Sequence, residues 1–258
     1  MSYHHFFRDK PLFGLDIGSS SIKVIQIEHR NNTKKNHSTV VGYGSASFNS
    51  SAIQDGVIVE FEEVAKVIHQ LFDSGIIGSI TTNRASVTVP AYRAYSRLVT
   101  LPSNLGRKQL HEAVMLEAEQ YIPVPIDDLY VDYEVGSKNA EDTDILISAV
   151  PKKVIDSYVR LLRLVNIDPI LIETTIASAS RIVAYTERSN EIPTVLVDLG
   201  SLSADLTVFD KYLIVNGTVP GGSEDFTRCI ANKFGISHAE AHTMKIKHGL
   251  GYSKKQTD

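Results

Sequence analysis

Two short stretches carry carboxylates, hydroxyls and a glycine at matching spacing: Asp16-Ile-Gly-Ser-Ser-Ser-Ile-Lys23 and Asp198-Leu-Gly-Ser-Leu-Ser-Ala-Asp205. Aligning Asp16 with Asp198 pairs Ile17 with Leu199, Gly18 with Gly200, Ser19 with Ser201 and Ser21 with Ser203. These residue types suit phosphate. Glycine lets a turn approach a ligand with no side chain in the way. Successive backbone N–H groups in such a turn form a concave nest of donors for phosphate oxygens, and the serine hydroxyls of Ser19, Ser20, Ser21, Ser201 and Ser203 add more. Asp16 and Asp198 each end a strand, where a carboxylate can hold the water shell of Mg²⁺, an ion that takes one or two carboxylates and keeps several waters. Lys23 can neutralise phosphate as a mobile point charge. Either stretch alone reads more readily as an ordinary strand-turn-strand. A repeat so far apart in the chain, with strands flanking both copies, indicates a duplicated domain rather than a solenoid. Two such hairpins face to face would clamp a nucleoside triphosphate from both sides.

The elements that must position these residues follow from hydrophobic periodicity and turn residues. Residues 12–17 and 22–28 are strands around the first turn, 29–37 a solvated hairpin loop, and 40–48 a third strand. Residues 62–73 place Val64, Val67, Ile68, Leu71 and Phe72 on one face of a helix. Strands at 85–89 and 94–101, a helix at 105–121 stopped by Pro123 and Pro125, a strand at 130–135, an exposed loop at 137–144, a strand at 145–150 and a helix at 154–165 form a block between the two motifs. That block predicts an inserted α/β subdomain over 85–165, beside a first, five-stranded mixed sheet. A strand at 169–172 and a helix at 175–185 lead to strands at 194–199 and 204–209. The dipeptides Asp210-Lys211 and Asn216-Gly217 read as turns around a strand at 212–215. Gly221-Gly222 opens a helix to about Phe234, and a last helix follows Ser237 as N-cap, with Glu240 at the capping-box position. The resulting partition is 1–84, the inserted 85–165, a return over 166–192 and a second domain over 193–258.

Composition narrows the classes. The chain has 258 residues, 43% of them hydrophobic, which supports a real core. Its net charge of -4 gives no global positive field for nucleic acid or an anionic membrane. Cys229 is the only cysteine and reads as a small buried hydrophobe, with no intramolecular disulfide, as suits a reducing cytoplasm. No stretch approaches the ~18 consecutive apolar residues of a membrane span, so membrane association would be indirect or lie outside this chain. The nine histidines show no metal-ligand spacing, and adjacent His4 and His5 suit a solvated terminus.

The two motifs resemble phosphate 1 and phosphate 2 of the superfamily of actin, the heat-shock chaperones and the sugar kinases. The resemblance assigns Asp16, Gly18, Ser19, Ser20, Ser21 and Lys23 to phosphate 1, and Asp198, Gly200, Ser201, Ser203 and Asp205 to phosphate 2. It implies ATP and Mg²⁺ as ligands, Mg²⁺ being held through water by Asp16 and Asp198. Glu173 opens Glu-Thr-Thr-Ile-Ala-Ser-Ala, which looks like the connecting-helix entry of the chaperones, where a carboxylate orients the attacking water. Asp198, Asp205 and Glu173 are thus the catalytic candidates.

Phe13-Gly-Leu-Asp-Ile-Gly-Ser-Ser-Ser-Ile-Lys-Val-Ile-Gln-Ile-Glu28, Leu98-Val-Thr-Leu-Pro102, Glu117-Ala-Glu-Gln-Tyr-Ile-Pro123, Val219-Pro-Gly-Gly222 and Ala239-Glu-Ala-His-Thr-Met-Lys245 resemble the PilM family of type IV pilus assembly and competence. The implied fold is α/β, the duplicated, ribonuclease H-like actin fold with an inserted subdomain like that of the cell-division protein FtsA. The implied role is a cytoplasmic protein, peripheral to the inner membrane, docked on the cytoplasmic tail of a PilN-like membrane protein within the pilus platform and at most a weak ATPase. Self-association stays open. The superfamily's adenosine motif is a late Gly-Gly turn, and Gly221-Gly222 comes too early to be it. Only 36 residues follow Gly222, so the second domain is expected to be incomplete and adenine recognition reduced. A small-molecule kinase of the same superfamily and a non-catalytic scaffold, like the secretion-platform protein GspL, are the alternatives.

Overall fold

A computed structural model describes residues 10–32, 35–186, 193–210 and 212–249. In chain order the elements are β1 (Phe13–Ile17), β2 (Ser21–Asn32), β3 (Lys35–Ser47), β4 (Ile53–Gln54), β5 (Val57–Ile58), α1 (Phe61–Gln70), β6 (Ile77–Gly78), β7 (Arg84–Val89), β8 (Tyr95–Pro102), α2 (Arg107–Tyr121), β9 (Leu129–Lys138), β10 (Asp142–Pro151), α3 (Lys152–Leu164), β11 (Asp168–Thr174), α4 (Thr175–Thr186), β12 (Thr194–Leu199), β13 (Ser203–Asp210), β14 (Tyr212–Pro220), α5 (Ser223–Phe234) and α6 (His238–His248).

The first sheet runs β11-β7-β1-β2-β3-β6. β1 pairs antiparallel with β2 and parallel with β7. Its alternation explains its place: Phe13, Leu15 and Ile17 are buried, while Asp16 turns to the other face. Against the buried side pack Val64 and Ile68 of α1 and Val154, Tyr158, Leu161 and Leu162 of α3. The sheet is six-stranded rather than five, because the two-residue β6 adds to the edge of β3, a strand too short to leave a periodic signal.

Two expected boundaries move. β7 belongs to the first sheet, and α3 to its core, so the separately packed block spans 95–151 rather than 85–165. Ala85, Val87 and Val89 alternate inward as any half-buried strand does, so the pattern cannot say which sheet owns them. The inserted block is the sheet β8-β10-β9 with α2 laid on it, and it has a core of its own around Val114, Ala118, Ile145 and Ile147.

Four local readings also change. The 29–37 loop shrinks, since β2 and β3 stay paired to Asn32 and Lys35; polar composition hid the strand. The loop at 137–144 shrinks in the same way, between the ends of β9 and β10. Asn216-Gly217 is no turn but lies inside β14, paired with Thr207 and Leu206, where the ladder overrides local preference. Cys229 is exposed on α5 rather than buried. The N-terminal His4 and His5, Lys211 of the other turn dipeptide and the tail beyond Gly249 lie outside the described residues. The second sheet is β12-β13-β14, with α5 and α6 packed on each other beside it. α6 starts with the expected capping box: the Ser237 hydroxyl accepts from the Glu240 amide, and the Glu240 carboxylate accepts from the Ser237 amide.

Candidate phosphate-binding cleft

The two motifs fold into the same hairpin. In the first, the Gly18 amide donates to the Ser21 carbonyl at 2.9 Å; in the second, the Gly200 amide donates to the Ser203 carbonyl, also at 2.9 Å. The tips meet, with the Ser20 hydroxyl donating to Ser201 Oγ at 3.2 Å across 181 positions of sequence. Between them lies a cleft of about 390 Å³. Asp16, Gly18, Ser19, Ser20, Ser21 and Lys23 wall one side, and Asp198, Gly200, Ser201, Ser203 and Asp205 the other. All the residues singled out in the two motifs therefore come to one place. Pro90, Ala91, Tyr92, Thr175, Ser223 and His242 are among the other lining residues and were not foreseen.

Glu173 is set apart. It stands in one row across the first sheet with Thr88, Asp16 and Lys23, but two strands from Asp16. Its nearly buried carboxylate is paired with Arg181 of α4. It lines a neighbouring open hollow of about 880 Å³, which also reaches Asp16, Lys23 and Thr88. From the Glu-Thr-Thr stretch, Thr175 reaches the phosphate cleft instead.

The second turn is held from behind by α5. The Ser223 and Glu224 amides, at the start of that helix, donate to the Gly200 and Ser201 carbonyls, both at 2.9 Å. A trans peptide directs its C=O and N–H in opposite senses, so the Ser201 and Leu202 amides are turned away from α5. Gly222 makes this approach close enough: a Cβ there would sit 2.6 Å from the Gly200 carbonyl oxygen.

Each hairpin also has a carboxylate fixed by a threonine from the next strand. The Thr88 hydroxyl of β7 donates to Asp16 Oδ1 at 2.6 Å, while Lys23 Nζ lies 3.4 Å from Asp16 Oδ2. The Thr218 hydroxyl of β14 donates to Asp205 Oδ1. Burial pushes the Asp205 carboxyl above its ordinary range, the Thr218 hydrogen bond pulls against this, and neighbouring Asp198 adds a further upward push. Neither threonine carries a local sequence signal, since each reaches its partner through strand register.

Three carboxylates and one lysine give the cleft an excess of negative charge, which opposes a bare phosphate and favours one carried with a divalent cation. Asp198 and Asp205 stand directly opposite on paired strands, an arrangement that costs stability unless a cation or proton intervenes. Hard carboxylate oxygens beside a hydroxyl- and amide-lined turn fit Mg²⁺ bound with phosphate, which uses one or two carboxylates and retains waters. Among the described residues no group of three or more His, Cys, Asp or Glu gathers to hold a metal by itself.

Two copies of one hairpin facing across a cleft, the first copy interrupted by an α/β insertion, place the chain in the actin-like ATPase fold class. The structure is similar to that of the PilM-PilN type IV pilus biogenesis complex, with a TM-score of 0.77 at 19% identity, over 92% of this chain and 70% of that one. It is also similar to the ethanolamine utilization protein EutJ from Carboxydothermus hydrogenoformans, with a TM-score of 0.52 at 12% identity, over 93% of this chain and 62% of that one. At these identities the likeness is one of fold. The chain belongs to the family described as type IV pilus assembly protein PilM, whose family model matches residues 14–257.

Proposed function

We propose that this type IV pilus assembly protein binds the phosphates of ATP with Mg²⁺ between its two hairpins and docks on the cytoplasmic tail of a PilN-like membrane protein. The observation that carries the first half is the meeting of the hairpin tips at Ser20 and Ser201, which brings two glycine turns and three carboxylates to one cleft. The turn amides and the serine hydroxyls would hold phosphate oxygens. Asp16 and Asp198 would hold the ion's water shell, and Lys23 would offset phosphate charge. The bound ion would screen phosphate charge from the carboxylates.

For the second half, a cleft of about 470 Å³ lies where the inserted block meets the first core, walled by Tyr92, Arg93, Tyr95, Val124, Lys152 and Lys153. Its aromatic walls, and a rim on which Arg93, Lys152 and Lys153 outnumber the one acid, Asp128, suit an extended peptide. Tyr92 lines this cleft and the phosphate cleft alike. Among the described residues no helix is long and apolar enough to cross a membrane, so this docking is the proposed route to the inner membrane. Contacts with further platform proteins would follow from that placement.

The pairing of Glu173 with Arg181, outside the phosphate cleft, favours a second reading in which nucleotide is bound without appreciable turnover and the protein acts as a scaffold. Titration calorimetry of the 258-residue chain with MgATP, Mg-tripolyphosphate and a PilN tail peptide tests these readings together. Phosphate-led binding predicts similar affinities for MgATP and Mg-tripolyphosphate, each weaker than ~1 μM and abolished by chelator. No heat with either would overturn the nucleotide reading. No heat with the peptide would overturn the docking. Phosphate release at a steady rate would overturn the scaffold.

A further inference from the structure

Resting on the nucleotide reading, we infer that Thr88 and Thr218 are positioning residues of the cleft, each holding one carboxylate in the orientation in which it meets a metal-bound phosphate. Thr88 is the strand-register partner of Asp16, and Thr218 the strand-register partner of Asp205. β7 lies parallel to its neighbour and β14 antiparallel, and neither belongs to the two hairpin motifs. Yet each presents a half-buried threonine hydroxyl to a carboxylate of the same cleft. Two unrelated strands converging on one device is more than the routine satisfaction of a polar group.

The chemistry gives the contact a direction. An ionised carboxylate only accepts, so both hydroxyls must donate. Threonine is restricted at χ1, so its hydroxyl is held in place with little further loss of side-chain freedom. The terminal torsion of an aspartate is broad by comparison. Fixing one oxygen removes that freedom and sets where the second oxygen stands. In Asp16 the second oxygen is met by Lys23 at 3.4 Å, a longer contact than the 2.6 Å from Thr88. A ligand would therefore displace or recruit Lys23 while Thr88 keeps the carboxylate aimed.

The test uses Thr88→Val and Thr218→Val, which keep the β-branched shape and lose the hydroxyl, together with Thr88→Ser and Thr218→Ser, which keep the hydroxyl. The full chain is read by the carboxyl ¹³C resonances of Asp16 and Asp205, by affinity for ATP with and without Mg²⁺, and by thermal unfolding. Each Val variant is expected to shift the resonance of its own aspartate and not the other, and each Ser variant to restore it. The Val variants should weaken MgATP binding about tenfold while metal-free ATP changes less than about twofold. Equal loss of both nucleotide forms with a lowered Tm would mean a structural role and overturn the inference. So would resonances that stay in place, whether or not nucleotide binds. If a Val variant fails to fold, a Ser variant without wild-type resonances and Mg²⁺ dependence has the same force. Absence of MgATP binding by the wild type would instead remove the nucleotide reading, leaving the resonances to decide the threonines.

Discussion

In the first hairpin the residue opposite the turn's aspartate is Lys23; in the second it is Asp205. The turns themselves are alike, each closed by a glycine amide at 2.9 Å. Their settings differ. Ile17 and Ile22, beneath the first turn, are buried in the main core, whereas Leu199, beside the second, is 64% exposed. The first turn is held by hydrophobic packing. The second is held by amides from the start of α5. The first carries its own counter-charge, and the second faces two carboxylates at each other. A local shape repeated within one chain can thus rest on different supports and stand in different charge settings.

The largest expected effect bears on support. Ile22→Ala should cost about 2–5 kcal/mol in urea unfolding, and Leu199→Ala less than about 0.5 kcal/mol; equal losses would erase the contrast. Next comes charge. Asp16→Ala and Lys23→Ala should each weaken MgATP binding about ten- to a hundredfold by calorimetry. Because Lys23 is 64% accessible, Lys23→Ala should change stability by under about 1 kcal/mol. Unaltered titrations would break the assignment of the first hairpin.

Gly222→Ala probes the other support. Its Cβ would meet the Gly200 carbonyl oxygen, and overpacking of this kind costs about 1–3 kcal/mol. Hydrogen exchange should speed up at the Ser223 and Glu224 amides and leave the first hairpin as it was. Exchange unchanged at both amides would show that α5 does not hold the turn. The smallest effect concerns the acid pair. The folded-state Asp205 carboxyl is raised above its unfolded value by burial, so the folded state holds that proton more tightly. The resulting stability is present in acid and is lost as pH rises from the ordinary carboxylate range through the raised value. Asp205→Asn should flatten this fall in thermal melts taken across pH, and a steeper fall in the variant would contradict it.

Both hairpins could be read from residue order because a turn is a local object. Glycine, serine and a strand-ending aspartate lie within eight positions of one another, and their backbone preferences act at that range. The helices over 61–70, 107–121 and 152–164 were legible for the same reason, being periodic along the chain. The tertiary structure alone decided which strand lies beside which. Thr88 meets Asp16 across 72 positions and Thr218 meets Asp205 across 13, each because register sets a hydroxyl opposite a carboxylate. The same holds for Gly222 against Gly200, for β7 and α3 joining the first core rather than the insertion, and for Glu173, whose carboxylate pairs with Arg181 once α4 folds back. Local torsional preference and periodicity are written in neighbouring residues. Partners on distant strands come from burying the apolar faces of distant segments together, and only the folded packing settles which threonine stands opposite Asp16 and which opposite Asp205.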